Sequence, residues 1–196
     1  MVKRWFASGS VVLATLVVGC ARQPDTAYVS SQQVQKLKPE LQKQVLSVLK
    51  DRCGTPQTPK LLGNTTIKAA HLRQGEAVYS RYCVQCHGVT GDGNGVAAAY
   101  MIPKPRDYRP GTFKFTSTTY GSKPLREDLL RTVKRGIRGT SMPSFSLLPP
   151  VELEAVVDYV RVLTHRGELE AQLAEEAEFN DSIERPRITE LVATVL

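Results

Sequence analysis

The chain has 196 residues, 41% of them apolar, enough for one packed domain of ordinary size with extensions. Its four cysteines, Cys20, Cys53, Cys83 and Cys86, are too few and too unevenly spaced for the disulfide framework of a small secreted domain. The formal charge of +7 divides into +2 over residues 1–19, +4 over 20–65, +6 over 66–165 and −5 over 166–196, so a basic body carries an acidic tail; charge alone does not choose between nucleic acid, an anionic membrane and an acidic protein as partner.

At the N-terminus, Lys3 and Arg4 precede an apolar run from Trp5 to Val18 that ends in Val17-Val18-Gly19-Cys20. The charged start, short apolar middle and small residues before a cleavage point predict an export signal over residues 1–19. The run is shorter than the roughly 20 apolar residues that span a bilayer. A cysteine directly after Val-Val-Gly resembles the lipobox of bacterial lipoproteins, which implies that Cys20 is lipidated and becomes the first mature residue. Two acyl chains on one residue would anchor the protein stably to a membrane outside the cytoplasm.

Residues 20–65 read as a tether followed by a helix. Ala21 to Ser31 is polar and predicts a flexible linker. From Pro39 to Arg52, Leu41, Val45, Leu46 and Leu49 recur at helical spacing, with proline suited to the first turn. A second stripe, from about Thr66, places His71, Gly75, Val78, Tyr79 and Tyr82 on one face and runs into Cys83. Residues 88–124 are rich in glycine and proline without sustained period, the mark of a long ordered loop wrapped around something. Asp92 and its glycine neighbours superficially suit a calcium loop, but the twelfth position is Pro103, so a plain turn is expected. Glu127 and Asp128 open a helix closed by Lys134, Arg135 and Gly136. Pro149 and Pro150 start a last core helix with Leu153, Val156, Val157, Val160 and Leu163 inside, closed by His165. Glu168, Glu170, Glu175, Glu176 and Glu178 then predict a solvated acidic segment, ending in apolar residues that want a partner surface. No strand is predicted.

Cys83-Val84-Gln85-Cys86-His87 carries the chemistry. Two thiols at this spacing can bond to the two vinyl groups of one haem, and the adjacent imidazole then falls beneath the iron. A redox dithiol would want a βαβ context and a zinc site two further ligands, and neither pattern is present. Four candidates remain for the second axial ligand: His71, Met101, Met142 and His165. Met142 lies in a Met-Pro loop 55 residues after His87, just before the last core helix. Cys53 is left over and is read first as a small buried apolar side chain.

The order of helix, Cys-x-x-Cys-His, Gly-Pro-rich loop, helix, Met-Pro loop and final helix over residues 66–165 resembles the class I c-type cytochromes. That resemblance implies an all-α cytochrome c fold around one covalent haem c, with His87 and Met142 as axial ligands. It further implies that Gly75 and Tyr79 pack against Tyr159, and that a carbonyl of Pro103 or a neighbour holds the His87 ring. With both axial positions filled, single-electron transfer between respiratory-chain components is expected rather than enzymatic bond chemistry. Arg106, Arg109, Lys114, Lys123, Lys134, Arg135 and Arg138 then suit acidic docking faces on a redox donor and acceptor, not nucleic acid. The alternatives are a fixed haem subunit of a larger respiratory oxidoreductase, or a haem enzyme or gas sensor with a displaceable Met142.

Overall fold

In the computed structural model, residues 27–196 are described, and they fold around one long helix. The signal segment, most of the linker and Cys20 lie outside the described residues. Helix α1 (Gln32–Lys36) leads into α2 (Pro39–Cys53), which starts on its proline and buries Leu41, Val45, Leu49 and Cys53 in one stripe. The expected helix therefore gains one residue, and Cys53 sits fully buried as an apolar side chain. Two short strands not foreseen in the sequence follow: β1 (Gly54–Thr55) and β2 (Thr58–Pro59) form an antiparallel hairpin.

Helix α3 (Ala69–Tyr82) buries Leu72, Gly75, Val78 and Tyr79 and crosses α6 (Pro150–Asn180). Glycine is required at the crossing, because a Cβ on Gly75 would stand 2.1 Å from the Ala155 carbonyl oxygen. Tyr79 and Tyr159 meet there with ring centroids 5.4 Å apart, so the packing implied for these residues is found. The one-turn helix α4 (Val84–His87) follows, then the Gly-Pro loop, then α5 (Arg126–Arg135). Asp128 ties that loop down: its carboxylate accepts from the backbone and hydroxyl of Ser117 and from the Leu125 amide.

Helix α6 departs most from expectation. It does not close at His165 but runs on without a break to Asn180, so the boundary drawn between 165 and 166 falls inside a helix. Leu169, Leu173, Ala174 and Ala177 continue the apolar stripe past His165, and these residues are fully buried. The glutamates around them are not all solvated. Glu170 is buried, pairs with Arg166 at 2.5 Å and accepts the Ser31 amide at 2.6 Å. Helix α7 (Arg185–Val195) folds back, so its apolar ending finds its partner within the chain.

Two cores result, both built on α6. One joins α3 and the first half of α6 with Leu61 and Tyr108; the other joins α1, α2, the second half of α6 and α7. Residues 27–31 are docked rather than free: the Tyr28 hydroxyl lies 3.3 Å from that of Tyr159, and Arg166 stands over the Tyr28 ring. Among the described residues, no helix is long and apolar enough to cross a membrane.

Candidate functional site

The Cys83–His87 segment is a tight turn at the end of α3. The Cys83 amide bonds the Tyr79 carbonyl and the His87 amide the Cys83 carbonyl, at 2.8 and 2.9 Å. Gly88 (φ 75°) ends the turn, and its carbonyl accepts the Tyr79 hydroxyl at 2.8 Å. Cys83, Cys86 and His87 are thereby presented to one cavity of about 520 Å³, within the size range of cofactor sites. Leu129, Val133 and Ile137 of α5 and Val156, Val157 and Val160 of α6 give it apolar walls, while Lys104, Arg106, Lys114 and Arg138 also line it.

Met101 and Met142 both reach this cavity; His71 and His165 do not. His71 is engaged elsewhere, its Nε2 lying 3.0 Å from Asp158. His165 is half-buried with an unpartnered Nδ1, and burial lowers its pKa to about 4, aided by Lys123 and Arg161. It is therefore a neutral side chain inside α6, not a cation closing a helix. Met142 is carried by a self-bonded loop: its amide donates to Thr140 Oγ1 and its carbonyl accepts from Ile137. Gly136 (φ 66°) makes the loop possible, since a Cβ there would stand 2.5 Å from the Pro143 carbonyl carbon.

The state of the donor atoms suits a haem-type cofactor. Burial pushes the Cys83 thiol up to about 12, so the side chain rests as a neutral thiol rather than as the thiolate of a reactive dithiol. Burial also lowers the His87 pKa, offset in part by a backbone hydrogen bond, so the ring is neutral and one nitrogen keeps a lone pair. The bonded nitrogen is Nδ1, 3.2 Å from the carbonyl of Arg106, which lies three residues after Pro103 in the same proline loop. Tyr108 stacks on His87 with centroids 4.7 Å apart and in turn on Phe113. The cavity, the two thiols, the free imidazole nitrogen and a methionine thioether together fit a covalently held haem.

Behind the α5 and α6 walls, Asp158 gathers three helices. Arg126 of α5 donates to both carboxylate oxygens at 2.8 and 2.9 Å, and His71 of α3 and Arg161 of α6 add 3.0 and 3.1 Å contacts. Burial pushes this carboxyl up, but those partners together hold it below the usual carboxylate range. Sequence reasoning missed this residue. The available signal was an aspartate, followed three residues later by Arg161, in the otherwise apolar stretch from Ala155 to Leu163.

Residues 70–160 match the family described as cytochrome c oxidase, cbb3-type, subunit III. A solved structure of the reducing HAO-like protein complex of Kuenenia stuttgartiensis is 35% identical over 47% of this chain and 42% of that chain, with a TM-score of 0.46. The chain thus spans less than half the length of that relative. No curated protein matches.

Proposed function

From the premise that the chain carries a class I c-type cytochrome domain, with an all-α fold, covalent haem c and electron transfer as its task, we propose that it is a membrane-anchored monohaem carrier. Bound in the cavity, haem supplies reversible one-electron exchange at its iron. Cys83 and Cys86 would hold it covalently, and His87 would offer its free nitrogen to the iron. Met142 would offer its thioether as the second protein ligand. The convergence of these four side chains on one cavity carries the reading.

Met142 is preferred over Met101 on connectivity. Met101 lies five residues before Arg106, on the segment that holds the His87 ring, whereas Met142 comes from a separate loop between α5 and α6. Ferric haem with a methionine ligand gives a weak near-red absorption band. Met142→Ala should abolish that band and Met101→Ala should preserve it. The reverse outcome would transfer the role to Met101.

Lys104, Arg106, Lys114 and Arg138 line the cavity, so an acidic face on donor and acceptor suits this domain. Electron-transfer rates with such a partner should fall as salt rises. The lipobox-like Val17-Val18-Gly19-Cys20 supports a lipid anchor and a periplasmic or other extracytoplasmic address. Mass spectrometry of the mature N-terminus tests it, an unmodified Cys20 thiol being the contrary result. The second core formed by the extensions favours an alternative, a fixed subunit of a larger oxidoreductase, because it gives the domain extra surface for docking. Co-purification after mild detergent extraction separates the two.

A further inference from the structure

The segment from Pro105 to Gly111 supplies the carbonyl that His87 Nδ1 meets, and its shape depends on residues beyond the first core. Asp107 and Arg109 close it on itself. Oδ1 of Asp107 accepts from both the amide and Nε of Arg109 at 2.9 Å, and Oδ2 accepts from Nη2 at 2.7 Å. Arg106, whose carbonyl meets His87 Nδ1, immediately precedes this closed pair.

The second half of α6 presses against the same segment. A Cβ on Gly167 would stand 2.4 Å from the Arg109 Cβ and 2.5 Å from its Cα, so backbone meets backbone where a side chain has no room. One residue on, the Glu168 carboxylate lies where a Cβ on Gly111 would be, 2.3 Å from Oε1. Glu168 also pairs with Lys123 at 3.2 Å, and Lys123 donates to the Val195 carbonyl at the end of α7. Loop, α6 and α7 are thereby connected on the His87 side of the cavity.

We infer that the C-terminal extension is a positioning device for the haem ligand: Gly167 and Glu168 seat the 105–111 segment, the Asp107–Arg109 pair keeps its turn, and the Arg106 carbonyl consequently holds the His87 ring. This rests on the reading of His87 as an axial ligand. A hydrogen bond from Nδ1 to a carbonyl makes the other nitrogen a stronger donor, which favours the ferric state. Loosening the segment should weaken that bond and favour the ferrous state.

The test is the midpoint potential of the haem-loaded full chain, with the ferric proton NMR spectrum of the His87 ring as a second readout. Asp107→Asn and Arg109→Gln remove opposite charges, so simple electrostatics moves the potential in opposite directions. Positioning predicts that both raise it and that both shift the ring signals. Gly167→Ala, which changes no charge, should raise it too, by about tenfold in the ferrous-to-ferric ratio or about 59 mV for a one-electron couple. Leu173→Ala loosens the second core without touching the segment and should leave the potential where it was. Opposite shifts for the two charge variants, or a Leu173→Ala shift as large as that of Gly167→Ala, would overturn the inference. Absence of haem would defeat the underlying reading instead, and haem with a Met142-dependent near-red band but an unmoved potential would defeat this inference alone.

Discussion

His165 shows how environment decides a side chain's role. Its sequence context, after an apolar helical stripe, suggested a cation at a helix end; its place within α6, beside Lys123 and Arg161, keeps it neutral. The folded pKa of about 4 lies below the usual 6.5, so the unfolded chain binds a proton that the folded chain refuses. Its contribution is fully present above pH 6.5 and is lost as pH falls toward 4, on the order of 3 kcal/mol in total. Urea unfolding across that window should show stability falling in the wild type and a flatter profile in His165→Leu; equal slopes would contradict the assignment. The Cys83, Cys86 and His87 set was legible in sequence because the chemistry lies within five consecutive residues. Arg106 as the ring's acceptor and Asp158 as the three-helix anchor were not, since each depends on which chain segments meet in space.

At the scale of elements, the starts of α2, α5 and α6 were legible to within a residue, because Pro39, Pro150 and the acidic pair Glu127 and Asp128 are local signals, whereas α3 starts three residues later than its stripe suggested and α7 was not foreseen. The end of α6 was not. His165 reads as the close of a helix and the glutamates after it as a solvated face, but Gly167 is where Arg109 packs and Glu170 pairs with Arg166. The α3–α6 crossing is equally dependent on a glycine. Gly75→Ala must push the helices apart, and a loss of about 1–3 kcal/mol in denaturant unfolding is expected. An unchanged midpoint would show that the crossing has slack which the 2.1 Å approach denies.

At the scale of the molecule, one helix belongs to both cores, so the extensions and the haem-binding region should unfold together. Leu173→Ala, in the second core, should cost about 2–5 kcal/mol and lower one common thermal transition, followed by both far-ultraviolet ellipticity and haem absorbance. Two separated transitions would mean that α6 does not couple the cores. The joint architecture keeps apolar walls from α5 and α6 around a cavity that Lys104, Arg106, Lys114 and Arg138 also line. The central claim is that His87 and Met142 occupy both axial positions and leave the iron only electron transfer. Adding carbon monoxide to the reduced native protein at neutral pH tests it most directly: an unchanged visible spectrum is expected, and the band shift of a carbon monoxide adduct would contradict the closed site.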